Sequence, residues 1–384
     1  MTYLVTRQFP AARQISIDDL LNDLDNQDVR QRHVTKGGTM TRIVNCVPRE
    51  IVEKVNIPGL IAKLDSFNAQ NAELFEKNRH SLYHTFYIPK QHGGLRRIDA
   101  PKDELMCALR DLKTLLETHF NMLYHTSAYA YAKKRSTVDA VKRHQANASK
   151  WFLHTDFSNF FGSTTPEFTL RMLSMIFPFS EIVTDPHGKA ALEKALSLAF
   201  LDGGLPQGTP LSPAITNAIM IPIDHRLANE FAKHQMVYTR YADDIDVSSK
   251  IDFKYWNTVH VINKVVREEF GAPFMIKPEK TKYVSIAGRN WHLGVMLNKD
   301  NEITIGHQKK KQFKAMVCNY INDKKCGVTW DLNDVQVFRG IISYYIMVER
   351  EYIMYTINSY NKKFGVDLLK MISEDISKRH TEGV

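Results

Sequence analysis

The chain has 384 residues, with 51 Lys and Arg against 42 Asp and Glu, and a formal net charge of +9. Hydrophobic residues make up 43% and charged residues 24%, which excludes a wholly disordered or fibrous chain, and no stretch approaches the ~20 apolar residues of a spanning helix, so no membrane partner is expected. The positive excess favours a polyanionic partner without naming one. Cys46, Cys107, Cys318 and Cys326 form no C-x-x-C, and the N-terminus has no apolar leader-like run, so a reduced, cytoplasmic setting is expected, with neither a zinc ribbon nor a disulfide framework.

Residues 1–75 read as mostly helical. Ser16 is an N-cap for a helix through Leu20 and Leu24, Lys36-Gly37-Gly38-Thr39 interrupts, and a second helix begins near Ile57-Pro58 with Leu60, Leu64, Phe67 and Leu74 as core. Tyr83 to Ile88 reads as a strand. Gly93-Gly94 turns the chain, and Arg96 to Pro101 returns as a second strand, giving a basic β-hairpin. Leu105, Leu109, Leu112, Leu115 and Leu116 then recur at helical spacing. Trp151 to Asp156 is a short apolar strand ending in a carboxylate, and Met236 to Ser249 is two strands around an acidic turn. Between them lie helices split by the Gly- and Pro-rich segment 203–213. After about residue 305 the chain reads helical again and starts basic, with Lys309, Lys310, Lys311 and Lys314.

The carboxylates carry the first chemical signal. Asp243 and Asp244 sit in a turn whose flanks, Val237, Tyr238, Tyr241, Ile245 and Val247, would bury both strands. Adjacent negative charges in such a setting are costly unless a cation neutralises them. Carboxylates converging at strand ends suit Mg²⁺, a hard cation that prefers oxygen ligands and substrate phosphates. Two such ions about 3.5–4 Å apart stabilise the attacking and leaving oxygens of an in-line displacement. The expected chemistry is phosphoryl transfer, with Asp156 and Asp243 bridging two Mg²⁺ ions (Mn²⁺ as substitute) and Asp244 supporting or ligating.

Six segments then resemble, in order, the motifs of reverse transcriptases. Tyr241-Ala242-Asp243-Asp244 resembles the Y-x-D-D box. His154-Thr155-Asp156-Phe157-Ser158-Asn159-Phe160-Phe161 resembles the first palm carboxylate motif, and Leu205-Pro206-Gln207-Gly208 through Ser212-Pro213 resembles L-P-Q-G-x-x-x-S-P. The segment from Ile88-Pro89-Lys90 through Arg96-Arg97-Ile98 resembles the fingers motif, Lys277 to Thr281 the lysine motif, and Trp291 to Val295 the primer grip. The resemblance implies an α+β right-hand polymerase: fingers, a palm whose antiparallel sheet carries the catalytic Asp residues, and a helical thumb. Its expected division is a helical N-terminal extension at 1–75, fingers and palm at 76–304, and a thumb at 305–384.

The resemblance also implies roles. Lys90 and Arg97 would grip the incoming triphosphate, Arg suiting this through its planar fork, while Arg96 would contact template. Gln207 and Gly208 would line the nucleotide pocket, Gly allowing close approach of the backbone. Phe161 would be the steric gate that selects dNTPs, with Phe160 facing the core. Tyr241 would pack beside the primer terminus, and Lys280 would protonate the leaving pyrophosphate. Trp291 and Gly294, with Lys309, Lys310, Lys311 and Lys314 of the thumb, would hold nucleic acid by phosphate contacts.

The expected activity is RNA-directed DNA synthesis on an RNA template, a structured non-coding RNA, with DNA as product. The alternatives are template-independent or protein-primed synthesis and, from another class, a silent RNA-binding scaffold. An effector protein or a homo-oligomer is an expected partner class. About 90 residues follow the primer-grip motif, so a thumb is expected there and an added maturase, RNase H or endonuclease domain is not. The expectation is a compact bacterial enzyme of retron or other defence-associated type. The retron elements N-A-x-x-H and V-T-G are only approximated here, by Asp139-Ala140 with His144 one position late and by His292-Leu293-Gly294. The departures tilt the expectation toward a defence-associated enzyme, with the retron as near neighbour.

Overall fold

The computed structural model describes residues 31–36, 39–44, 55–90, 93–120, 124–287 and 291–381. The helix expected after Ser16, and Cys46, lie outside them. Within the expected helical extension, Gln31–Lys36 (β1) pairs antiparallel with Thr39–Val44 (β2), Lys36 opposite Thr39. The correction has a local cause: Val34, Thr35, Thr39, Thr41, Ile43 and Val44 are β-branched residues on either side of Gly37-Gly38. The helix expected next is present as Ile57–Gln70, capped by Asn56, whose side chain accepts from the Gly59 N–H at 2.9 Å, with Pro58 in the first turn.

The described residues form two compact units, one within Met1–Ser136 and Lys150–Tyr283, the other within Thr137–Ser149 and Val284–Val384. In the first, Tyr83–Pro89 (β3) and Leu95–Pro101 (β4) form the expected hairpin. Gly93 and Gly94, both at positive φ, supply its turn, closed by Lys90 N–H to Gly94 O at 3.0 Å. The helix Asp103–Phe120 buries Leu105, Leu109, Leu112 and Leu116.

A five-stranded sheet carries the middle of this unit: Trp151–Ser158 (β5), Val237–Tyr241 (β6), Asp244–Ser249 (β7), Met275–Ile276 (β8) and Lys282–Ser285 (β9). The order is β6-β7-β5-β8, with β9 also paired to β5. Phe152 and Leu153, adjacent on β5, are both fully buried, so both faces of that strand are covered, while on β7 Ile245 and Val247 alternate with Asp244, Asp246 and Ser248. Register sets Asp156 opposite Asp244, His154 opposite Asp246 and Trp151 opposite Ser249. Ala128 adds a parallel bridge to Arg240 at the outer edge of β6. Helices Ser212–Ile219 and Ile221–Ala232 lead from the Pro-rich loop into β6, with Pro213 and Pro222 in their first turns.

The second unit joins the helix Thr137–Ala146 to a small antiparallel sheet, Trp291–His292 (β10), Val295–Leu297 (β11) and Ile303–Thr304 (β12), and to helices His307–Lys325, Leu332–Phe364 and Leu368–Thr381. Gln145 and Asn301 exchange side-chain to carbonyl bonds of 2.8 and 2.9 Å. The unit begins earlier than the expected 304/305 division, because the small sheet is bonded into it. Thr304 Oγ1 donates to Glu349 at 2.7 Å, and Lys310 Nζ donates to the same carboxylate at 2.5 Å. Glu349 is also the one residue where the long helix leaves helical geometry (φ −145°, ψ 65°), and Gly365, left-handed, ends that helix. Among the described residues no helix is long and apolar enough to cross a membrane.

Candidate active site

The expected acidic turn is formed. Ala242 takes a left-handed φ of 58°, uncommon for a non-glycine residue, and Asp243 and Asp244 follow it. A buried network sets this turn. Arg240 Nη1 donates to Ala242 O at 2.9 Å, and Nε and Nη2 meet Asp224 bidentately at 2.8 and 2.7 Å. Tyr238 donates to the same carboxylate at 2.7 Å, and Asn217 Oδ1 accepts from Arg240 at 3.3 Å. Asp224 and Asn217 stand on the two helices that follow the Pro-rich loop, so that loop and the acidic turn share one frame. Sequence reasoning missed these residues; an arginine alternating into an apolar strand was the available signal.

Asp156 is buried on β5, and Phe157 N–H donates to Asp243 O at 3.1 Å, fixing the turn against that strand. Burial, then the neighbouring charge of Asp243, pushes the Asp244 carboxyl up to about 6. Asp243 is also raised, by burial and, against a backbone hydrogen bond, by Asp156. Lys280 Nζ bonds Asp156 Oδ2, and Lys277 Nζ stands 3.4 Å from Oδ1, a buried oxygen with no hydrogen-bond partner. The Asp156 bond, against burial, raises the Lys280 pKa.

Among the described residues no three Asp, Glu, His or Cys side chains close into a ready-made metal cage; the lysines neutralise Asp156 instead. The donor set still fits a hard divalent cation: oxygen ligands, two carboxyls destabilised by mutual repulsion and burial, and a buried Asp156 oxygen that accepts no hydrogen bond.

His154, given no role from sequence, lies on the same sheet face as Asp156. Its Nδ1 is 3.1 Å from Asp246 Oδ1 and its Nε2 3.7 Å from Asp244 Oδ1. Burial opposes the imidazolium, but the bond to Asp246 and the charges of Asp246 and Asp244 outweigh it and raise the His154 pKa.

The fingers hairpin meets the Pro-rich loop directly: Asp99 N–H donates to Gln207 O at 2.7 Å. Gly208 is required here. Its φ is 118°, and a Cβ would stand 2.9 Å from Ile98 Cγ2 and 3.0 Å from Asp99 O. The close approach at Gly208 is to β4. Gly204 is similarly constrained, a Cβ falling 2.1 Å from Gly162 O.

Arg97 is held by Asp99 at 2.9 Å and Asp202 at 3.0 Å. Arg96 is exposed, and Lys90 is exposed at the turn. Phe160 is buried, stacked 5.8 Å from Phe157, while Phe161 is half-buried and edge-on to Phe160. The Phe161 carbonyl accepts from Leu205 N–H at 3.0 Å, joining the first carboxylate motif to the Pro-rich loop. Tyr241, half-buried, stands opposite Asp244 on the β6–β7 hairpin.

The expected nucleic-acid residues of the second unit divide in two. Lys309 donates to Gly294 O at 2.8 Å, and burial lowers its pKa. Lys310 bonds Glu349 and lies 4.1 Å over the Tyr352 ring. Lys311 and Lys314 are exposed. Gly294 has a φ of 81°. For Trp291 the backbone pairs with Met296; its side chain lies outside the described residues.

The reverse transcriptase (RNA-dependent DNA polymerase) family matches residues 88–320. Retron Ec83 reverse transcriptase of Escherichia coli is 26% identical over 309 residues, spanning 78% of this chain and 91% of that protein. Retron Ec73 reverse transcriptase, also of Escherichia coli, is 28% identical over 237 residues, spanning 59% and 72%. The solved apo telomerase from Candida tropicalis superposes with a TM-score of 0.45 at 10% identity, over 93% of this chain and 72% of that one. Both of these curated relatives are retron enzymes, whereas the departures near His144 and Gly294 tilt the sequence expectation toward another defence-associated branch. The chain belongs to the reverse transcriptase family, the RNA-dependent DNA polymerases.

Proposed function

We propose that the chain copies a dedicated structured RNA into DNA by two-metal phosphoryl transfer, within a bacterial anti-phage defence system. The observation that carries the chemistry is the register that sets Asp156 opposite Asp244 with Asp243 adjoining in the turn. Asp156 and Asp243 would hold two Mg²⁺ ions, or Mn²⁺ in their place, with Asp244 as support. When bound, the ions supply Lewis-acid stabilisation of the attacking and leaving oxygens.

The chain's own residues orient the reactants. Arg97, 41% exposed in its side chain, exchanges Asp202 for the triphosphate, with Lys90 as a second cation. Gln207 and Gly208 form the pocket wall between β4 and the Pro-rich loop, and the Phe161 ring rejects a ribose 2′-hydroxyl. The primer 3′-hydroxyl gives its proton to water as its oxygen bonds the α-phosphorus and the bond to the pyrophosphate oxygen breaks. Lys280 turns from Asp156 to give the leaving pyrophosphate its proton. Tyr241 packs beside the primer end, and Arg96, Trp291, Gly294, Lys311 and Lys314 hold the nucleic acid.

The test is to purify the protein from its native operon, sequence every nucleic acid that accompanies it, and challenge cells with phage. One structured RNA with complementary DNA, and protection lost in Asp243→Asn, are expected. DNA of random sequence, or DNA attached to protein, would contradict a dedicated template; protection intact in the variant would contradict the defence role.

A further inference from the structure

The ladder of β5 and β7 has two ends. At one, Asp156 stands across from Asp244; at the other, Trp151 stands across from Ser249. Five residues at about 3.3 Å each separate them by roughly 16 Å. The chain at the far end is basic. Lys150 N–H donates to Ser249 O at 2.8 Å, so one step beyond the last pair brings Lys150 beside Lys250. Lys254 follows, immediately before the helix Tyr255–Asn263. All three side chains are exposed, and none forms an ion pair among the described residues. Like charges placed directly opposite one another are destabilising, and an anion between them removes the cost.

The same end carries a row of rings. Trp151 stacks on Tyr283 at 5.7 Å and 15°, and Tyr283 on Tyr255 at 5.5 Å and 26°. Trp256 meets Tyr255 edge-on at 5.4 Å. The Tyr283 hydroxyl locks the row, donating to Asp252 at 2.5 Å and accepting from Phe253 N–H at 3.0 Å. The outer members stay open, Tyr255 at 40% and Trp256 at 57% exposure. Ordered rings lose little freedom on binding. Aromatic faces beside uncompensated lysines are the combination that takes a single strand, bases stacking while phosphates meet the cations. A protein-binding core is instead depleted in lysine.

We propose that Tyr255 and Trp256, with Lys150, Lys250 and Lys254, form a second nucleic-acid site that holds a single-stranded segment of the RNA away from the catalytic carboxylates. It deepens the reading of a dedicated RNA template and rests on it: the site anchors RNA outside the stretch being copied.

The test uses the full chain, a short single-stranded RNA carrying 5-iodouridine, and a short annealed primer–template. Photo-crosslinks to Tyr255 or Trp256 are expected. Tyr255→Ala with Trp256→Ala weakens binding of the single strand about tenfold, while the paired Phe variants keep it. Lys150→Gln, Lys250→Gln and Lys254→Gln together reduce the salt slope by about two. Every variant extends the short primer–template at the wild-type rate. Crosslinks confined to other residues, or unchanged affinity in the paired Ala variant, would overturn the site. Absence of extension by the wild type would instead strike the polymerase reading and leave the crosslink result standing.

Discussion

Arg240 and Asp224 form a bidentate ion pair with no solvent exposure on either side chain. The pair joins a helix following the Pro-rich loop to the strand leading into the acidic turn, and the third face of the guanidinium holds Ala242 in its left-handed conformation. Breaking a buried pair by removing one member leaves an uncompensated charge, at a cost of about 3–5 kcal/mol. Asp224→Asn and Arg240→Met are each expected to lower unfolding free energy by that order in chemical denaturation. Their combination is expected to lose less than the sum; strict additivity would mean the two side chains act independently.

Gly208 is where the fingers strand rests on the Pro-rich loop. A methyl group there meets the Asp99 carbonyl while φ stays at 118°. Gly208→Ala is expected to cost about 1–3 kcal/mol of stability and to raise the KM for dNTPs more than it lowers kcat. Wild-type values of both constants would remove the loop from the nucleotide pocket.

Phe161 is half-buried beside a fully buried Phe160. Phe161→Ala is expected to admit ribonucleotides, seen as rNTP incorporation on an RNA template. Unaltered sugar discrimination would place the gate elsewhere.

The lysines of the 309–314 run should not respond alike. Lys311→Gln with Lys314→Gln removes two exposed cations and is expected to lower the salt slope of duplex binding by about 1.5–2. Lys310→Gln leaves Glu349 without its cation and is expected to lower the melting temperature instead. Equal slopes for both variants would contradict this division.

His225, its ring 4.7 Å from that of His125 and tilted by 59°, has a pKa lowered by burial, with Asp224 opposing. The folded protein therefore favours the neutral ring, and the unfolded chain binds the extra proton first. This contribution is present above the ordinary histidine pKa of about 6.5 and is lost as pH falls below it. Relative to wild type, His225→Phe is expected to melt with a smaller drop between neutral pH and pH about 5.5. An identical drop would assign the acid sensitivity to other groups.

What was legible in the sequence was local. The Asp-bearing strand, the acidic turn, the Gly-Gly hairpin and the Leu105–Leu116 stripe announce themselves through periodicity and turn chemistry over a few residues, and the motif strings carry the rest. What was not legible depends on partners distant in the chain. Asp224 and Arg240 meet across a helix and a strand, His154 and Asp246 across 92 positions, and Glu349 gathers Thr304 and Lys310. The Lys309–Lys314 run reads as a solvated basic face, yet two of its members are taken up inside the unit. The β1–β2 hairpin escapes the sequence because its β-branched residues stand in a polar segment whose periodicity reads as helix.

The most direct test of the catalytic account is single-nucleotide extension of an RNA-templated primer by wild type, Asp156→Asn and Asp243→Asn, with primer–template affinity measured in parallel. Both variants are expected to bind with near wild-type affinity and to incorporate nothing above background at any Mg²⁺ or Mn²⁺ concentration. Incorporation at the wild-type rate by either variant would contradict the assignment of phosphoryl transfer to these carboxylates.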